Sequence, residues 1–501
     1  MTKRNLFIGI DAGTTSLKGV IADERGNILA ASSQEYTLEM EDDRCEIDAS
    51  IYWEKTKPVI RELLQSDKVK KEDICALSFA SQGETIICVD SNGVPLRKAI
   101  VWLDNRSIGE ALAIEKHFGR EMICDHSGQP QVQPLWPATR ILWLRNNEPD
   151  VFKRVHKFLL VEDYLLFRLT GKYVTEQTLV SSTLYYNIKE KTWWPEMLAC
   201  LKISEVQLPE VYPSGTLIGK IQPTAAVETG LPPSLQIVTG AYDHVAGALG
   251  SGNYKEGIVS ETTGTSMAMV VTLDKPVANF EMNISMQCHV DGKYLLLPYG
   301  QTAGLVLKWF KEEFYAEEIK RAGSADVYDL LTEQAQQVPH GSDGLIMLPH
   351  LMGSGSPEFN ANAKGVFAGI TAKTTKAHFI RAILESIASM IRRNLEMLKN
   401  AGITVGEIRA LGGGSKSKLW NQIKADMANV LIKTVQGQET AALGAVILAA
   451  TGAGFFPSIA VACESIVKLT HTFTPDAHAH NTYQQVYARY VKLSDRLEKN
   501  W

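Results

Sequence analysis

The chain has 501 residues, 45% of them hydrophobic and 21% charged, enough apolar material for the cores of roughly two to four domains. A net charge of −5 without a Lys/Arg cluster excludes a broad nucleic-acid-binding face. Seven scattered cysteines without a CxxC pair exclude a disulfide framework and a cysteine zinc site, and fit a reducing cytosol. After Lys3 and Arg4 the apolar stretch is interrupted at Asp11, too short for the core of an export signal, so a cytoplasmic protein is expected.

In chain order, short apolar strands alternate with amphipathic helices, the pattern of an α/β protein. Strands are expected at Leu6–Asp11, Leu17–Ala22 and Ile28–Ser32, a helix near Ala49–Gln65, and strands at Ile74–Ala80 and Thr85–Val89 before the turn Asp90–Gly93. A helix near Pro137–Asn146 begins on proline, which suits a first helical turn. A Pro-, Gly- and Thr-rich passage, 214–233, precedes the strand Leu235–Thr239, and the domain boundary is placed near Gly252 to Lys255, giving domains 1–252 and 253–501. Beyond it, Phe379, Ile383, Ile387 and Met390 mark one face of a helix Ala377–Leu398, long enough to span between the halves. The strand Ile408–Leu411 leads into the helix Leu419–Asn429. The uncharged stretch Ala441–Cys463 is rich in Ala and Gly and contains Pro457, so it reads as a buried helix, Glu439–Thr451, followed by a turn, and no membrane association is expected.

One motif occurs twice. Ile8–Ile21 (IGIDAGTTSLKGVI) and Ser260–Val271 (SETTGTSMAMVV) each place Gly and hydroxyl residues between two apolar, β-branched runs, with Gly13 and Gly264 251 residues apart. Such a hairpin turn presents backbone N–H groups and hydroxyls, a cradle for phosphate. Two cradles in two similar halves suggest that a nucleotide's phosphates are gripped from both sides. Asp11, after a buried strand and beside the first turn, suits Mg²⁺ held through water; the second copy has Thr262 there.

Four further segments carry candidate chemistry. Asp243, at the end of a strand in Gly240–His244, suits a general base toward a hydroxyl, and equally a helix N-cap. Gly412, Gly413 and Gly414, between a strand and a helix, let a flat ring or a phosphate approach the backbone, beyond what a tight turn needs. Ala80–Thr85 and Trp102–Arg106 offer polar groups for several hydroxyls and an indole face for a carbon chain; either also reads as an ordinary polar loop.

The chain as a whole resembles the FGGY family of carbohydrate kinases, within the actin-like, hexokinase-like ATPase superfamily. Gly365–Ile370, then His378-Phe379, Ala382–Leu384 and Glu385, is similar to the family's C-terminal signature. The stretch Pro137–Asn147 is similar to the N-terminal one, with Arg140 where Lys is usual. The resemblance implies an α/β fold of two actin-like (ribonuclease H-like) ATPase domains around a nucleotide cleft. It implies an ATP- and Mg²⁺-dependent kinase acting on a sugar, polyol or sugar acid, with Asp243 as catalytic base and Asp11 organising the metal. Gly13, Thr14, Thr15 and Ser16 with Gly264, Thr265 and Ser266 would hold phosphates. Gly412, Gly413, Gly414 and Ser417 would lie against adenosine, with Gly304 and Lys308 on the nucleotide side. Gln82, Glu84, Trp102, Asp104 and Asp243 would contact the sugar.

Ser81–Thr85 is similar to the glycerol-kinase segment, but Gly83 replaces the Arg of those enzymes. That substitution is expected to open space for a longer substrate, a ketopentose such as xylulose being favoured; xylulokinases in turn place a Met-His pair near Ser81-Gln82, which this chain lacks. A homodimer is left open, as are two rival functions: a non-sugar ATPase and a catalytically inactive regulatory member of the superfamily.

Overall fold

The computed structural model describes residues 4–322, 327–498 and 500–501. The chain divides into two compact units. One comprises the residues through Tyr254 with Thr272–Leu295 and Glu439–Lys468; the other comprises Lys255–Val271, Leu296–Gln438 and Leu469–Trp501.

In the first unit, the apolar runs on either side of the glycine-rich turn pair as the antiparallel strands Leu6–Ala12 and Ser16–Asp23, with Ala12 opposite Leu17. Ile28–Glu35 extends the hairpin. On the other side, Ile74–Ser81 joins Leu6–Ala12 in parallel, followed by Gln236–Val238 and the antiparallel edge strand Leu217–Lys220. The short strand Ala241–Tyr242 also runs parallel to Ile74–Ser81, pairing Ala241 with Ala80 and Tyr242 with Ser81. Leu6–Ala12 is buried almost throughout because both faces of the sheet are covered by helices.

One of those helices, Ser50–Leu63, lies close enough that a Cβ on Gly19 would meet Val59 and Leu63. The other, Thr440–Gly452, lies against the backbone of Leu6–Ala12: a Cβ on Gly9 would fall 1.9 Å from the carbonyl oxygen of Ala442. The helix Asp243–Gly250 packs on Thr440–Gly452 at the same close range. Small residues are therefore required along this seam, which accounts for the Ala/Gly-rich, uncharged stretch. Ala442 to Ala450 are all buried, and burial of Val446, Ile447 and Leu448 contributes about 1.5–3 kcal/mol each. Among the described residues, no helix is long and apolar enough to cross a membrane.

The second unit repeats the plan. The hairpin Ile258–Thr263 and Met267–Leu273 is joined in parallel by Glu407–Leu411, then by Leu431–Val435, with Leu469–Phe473 antiparallel at the edge. The helix Lys376–Asn400 begins at Thr375, whose hydroxyl and backbone N–H both meet the His378 ring. Although the sequence suggests a helix spanning the halves, all of it belongs to this unit, where it packs on the helices Val327–Gln336 and Lys418–Ala428.

Candidate active site

The first glycine-rich turn, Gly13–Thr15, is closed by a hydrogen bond from the Gly13 N–H to the Ser16 carbonyl (3.1 Å) and clamped from three sides. The Tyr36 hydroxyl and the Gln82 side-chain amide (3.0 Å) both donate to the Gly13 carbonyl, and the Trp102 indole N–H donates to the Thr14 hydroxyl (2.9 Å). The Thr15 side chain is left exposed.

Two residues expected at the sugar have other commitments. Gln82 is 2% exposed; its amide also donates to the Tyr52 hydroxyl and accepts from Thr85, so its hydrogen-bonding capacity is largely used in holding the turn. The Asp104 carboxylate is fully buried and accepts from the Cys45 N–H (2.6 Å) and from the Arg106 N–H, Nε and Nη2. It fixes the Trp102–Arg106 loop from inside, with Arg106 stacked 4.8 Å over the Trp143 ring.

Arg140, noted in the sequence only as a departure from the family's usual Lys, is the organising cation of this region. Its buried guanidinium donates to the backbone carbonyls of Glu84 (2.8 Å), Trp102 (2.8 Å) and Asp104 (3.1 Å), tying both candidate sugar segments together. Burial pushes it down to about 10, against the pull of the Asp104 and Glu84 charges.

The charge of Asp243 acts on two neighbouring carboxyl groups, Asp11 and Glu84. Asp243 is the first residue of the helix Asp243–Gly250; its Oδ1 is inaccessible to solvent and has no hydrogen-bond partner. Burial raises Asp243, while the His244 charge and backbone N–H oppose the shift. Burial, then the Asp243 charge, raises Asp11 to about 7, with Lys18 opposing and Glu439 reinforcing. Lys18 in turn pairs with Glu439 (3.2 Å), a contact across 421 positions that no local pattern announces. Glu84 is raised to about 8 by burial and by Asp243, with a Ser182 hydrogen bond and Arg140 opposing. Its backbone φ of 60° lies in the left-handed region, a strained conformation of the kind that clusters at functional sites.

Replacing an Arg by Gly83 does not open a void. A Cβ on Gly83 would fall 2.8 Å from the Tyr242 ring and 3.0 Å from the Ser182 hydroxyl, so the tyrosine occupies the space that the sequence reading assigned to a longer substrate.

In the second unit, the turn Gly264–Ser266 is closed by the Gly264 N–H on the Ser266 carbonyl (2.9 Å). The helix Gly304–Phe314 starts directly on it, with the Gly304 N–H on the Gly264 carbonyl (2.8 Å) and the Leu305 N–H on the Thr265 carbonyl (3.2 Å). Its first amides are thereby spent on the turn. A cavity of about 510 Å³ brings together Gly264, Thr265, Gly304, Lys308, Gly413, Gly414 and Ser417, seven of the residues singled out in the sequence. It is completed by residues that the sequence did not mark, among them Tyr328, Leu384 and Trp420.

Gly413 presents open space to a Cβ, whereas Gly412, with φ 71°, packs against the Thr263 backbone and does not line the cavity. Ser417 also caps the helix Lys418–Ala428 through the Trp420 N–H. Behind the cavity, fully buried Lys424 donates to Glu261 (2.6 Å) and to Thr263 (2.7 Å). Glu261 aligns with Ile10 of the first copy, so an ion pair stands where the first unit has an apolar residue.

The FGGY N-terminal domain of carbohydrate kinases matches residues 6–250 and the C-terminal domain residues 259–453. The chain belongs to the FGGY family of carbohydrate kinases. It is an enzyme, a phosphotransferase with an alcohol group as acceptor. A xylulose kinase from Staphylococcus epidermidis is 30% identical over 492 residues, covering 98% of this chain and 96% of the relative. A gluconokinase from Bacillus licheniformis is 30% identical over 500 residues, covering 99% and 96%. The crystal structure of gluconate kinase from Lactobacillus acidophilus superposes with a TM-score of 0.89 at 28% identity, covering 99% of this chain and 98% of that one. Ligand-bound xylulose kinase from the same organism gives the same TM-score and identity, with 98% of each chain covered. The two-domain α/β fold is that of these kinases, in keeping with an actin-like ATPase.

Proposed function

We propose that this enzyme transfers the γ-phosphoryl group of ATP to a hydroxyl of a neutral ketose, a ketopentose such as xylulose, with Asp243 as general base. The observation that carries the reading is the Asp243 carboxylate at a helix start: its Oδ1 is buried and has no hydrogen-bond partner, and its charge raises the pKa of Asp11. A base in that state is not consumed as a helix cap and is available to accept the acceptor hydroxyl's proton as the O–P bond forms.

The cavity lined by Gly413, Gly414 and Trp420 accommodates adenosine, and the exposed hydroxyls of Thr15, Thr265 and Ser266 serve the phosphates. Asp11 fits Mg²⁺: it offers hard oxygen donors, and a cation beside it would offset the burial and the Asp243 charge that raise its carboxyl. When bound, Mg²⁺ neutralises charge on the β- and γ-phosphoryl oxygens.

The protein's own contribution is positioning. Arg140 fixes the carbonyls of Glu84 and Trp102, and Asp104 fixes the loop that carries Trp102, leaving Glu84 and the Trp102 ring to meet the sugar. With a pKa near 8, Glu84 is largely protonated at neutral pH and donates a hydrogen bond to a sugar hydroxyl.

A neutral acceptor is favoured over an aldonate by charge. Among the described residues, Asp11 and Asp243 are the carboxyl groups left without a cation, since the nearby cations are already engaged: Lys18 by Glu439, Arg106 by Asp104 and Glu46, Arg140 by three carbonyls. A substrate carboxylate would enter an acidic site without a partner. Phosphorus-31 NMR of the reaction mixture tests the reading. A sugar phosphate formed from xylulose by the wild type and absent with Asp243→Asn supports it; orthophosphate in place of a sugar phosphate with every acceptor would refute it.

A further inference from the structure

The strand that ends at Asp243 is held on one side by side chains in place of a neighbouring strand. Ala241 and Tyr242 pair with Ala80 and Ser81. The alternate backbone N–H groups of Gly240 and Tyr242 are taken by the Glu162 carboxylate (Oε1, 2.7 Å) and the Thr178 hydroxyl (Oγ1, 2.9 Å). Neither side chain can meet substrate, being 0% and 1% exposed.

Thr178 is oriented in its turn. Its hydroxyl donates to Glu176 Oε1 (2.7 Å) and its backbone N–H to Glu176 Oε2 (2.7 Å), so the lone pairs of Oγ1 are left to accept from Tyr242. Glu176 also takes the Leu179 N–H, capping the short helix Gln177–Val180. Just past that helix, the Ser182 hydroxyl donates to the Leu179 carbonyl (2.8 Å) and lowers the Glu84 carboxyl against the effect of burial. One buried segment thus reaches the backbone beneath Asp243 and the side chain of Glu84.

We propose that Glu162 and the Glu176–Thr178 pair are positioning residues for phosphoryl transfer, fixing Gly240 and Tyr242 so that the Asp243 carboxylate is held at the acceptor hydroxyl. The proposal rests on the assignment of Asp243 as base. Displacements of about 1 Å cost on the order of 100-fold in rate when reacting groups must be pre-aligned. Loss of either acceptor also leaves a buried N–H unpaired, which favours movement of the strand.

The test uses the full chain with ATP and xylulose. Thr178→Val keeps the shape of the side chain and removes the acceptor; kcat is expected to fall about 10- to 100-fold with KM for ATP within about twofold. Thr178→Ser, which keeps the hydroxyl, restores the rate. Glu162→Gln, retaining an oxygen acceptor, keeps most of the activity, while Glu162→Met loses it; this second pair carries the same comparison should Thr178→Val fail to fold. Introduced into Asp243→Asn, Thr178→Val is expected to change the residual rate by less than about threefold, because its effect passes through Asp243. Wild-type kcat in Thr178→Val, equal losses in the Val and Ser variants, or a full additional loss on top of Asp243→Asn would each overturn the proposal. Full turnover by Asp243→Asn alone would instead remove the base assignment, a separate and distinguishable failure.

Discussion

Gly413 and Gly304 separate a residue that shapes the nucleotide cavity from one that holds the fold around it. A methyl added at Gly413 meets no atom within 4 Å and enters the cavity, so Gly413→Ala should leave the stability of the unliganded protein unchanged within about 0.5 kcal/mol. With adenosine in that space, the methyl overpacks the contact at about 1–3 kcal/mol, which raises KM for ATP about 5- to 150-fold. At Gly304 the methyl would fall 2.4 Å from the Gly264 carbonyl oxygen, the atom that accepts the Gly304 N–H at 2.8 Å. Overpacking together with loss of that bond costs about 2–4 kcal/mol, and this appears without any ligand. Thermal unfolding with and without ATP, alongside initial rates at saturating xylulose, distinguishes the two. Gly304→Ala should lower Tm in both conditions; Gly413→Ala should match the wild type without ATP and lose most of the ATP-induced rise. A Gly413→Ala enzyme with unchanged KM and unchanged ATP stabilisation would refute the placement of the nucleotide.

Asp243→Asn should lower kcat at least about 100-fold while both KM values stay within a few-fold, as read from steady-state rates. The carboxyl of Asp11 is raised from 3.8 to about 7, so the native state binds its proton more tightly than the unfolded chain, and stability from this group declines as pH rises from about 4 to 7. Asp11→Asn should therefore stabilise the protein at pH 8 by at most about 4 kcal/mol, seen as a higher Tm, leave it unchanged near pH 3, and flatten the pH dependence measured without Mg²⁺. Lys424→Met strands Glu261 in the interior and should cost about 3–5 kcal/mol by urea unfolding, much of it recovered in the double variant with Glu261→Met.

The features legible in the sequence are those with a local signature. The two hairpins, the helix beginning at Pro137 and the glycine turn before Lys418–Ala428 follow from β-branched runs, helical spacing and Gly or Pro at chain reversals. Of the residues on the cavity in the second unit, Gly264, Gly413 and Gly414 are legible because motif positions at a turn stay together when the chain folds, whereas Gly304 and Ser417 follow only from the family resemblance. The buried partners of Asp104 and Gln82 are not legible, because a polar side chain in a loop looks the same in sequence whether it faces a ligand or a buried Arg106 or Gly13. The Tyr242 ring against Gly83 and the pairing of Lys18 with Glu439 join segments 159 and 421 positions apart, and such contacts leave no periodic trace. Glu162 and Thr178 were invisible for the same reason: their task is to accept two backbone N–H groups from a strand far along the chain.

The most direct measurement is ADP release from Mg-ATP by the wild type and Asp243→Asn, with xylulose and gluconate as competing acceptors. A kcat/KM for xylulose well above that for gluconate, with turnover abolished in the variant, is the expected result. Preference for gluconate would contradict the neutral-acceptor reading, and unimpaired turnover by Asp243→Asn would contradict the base on which the mechanism is built.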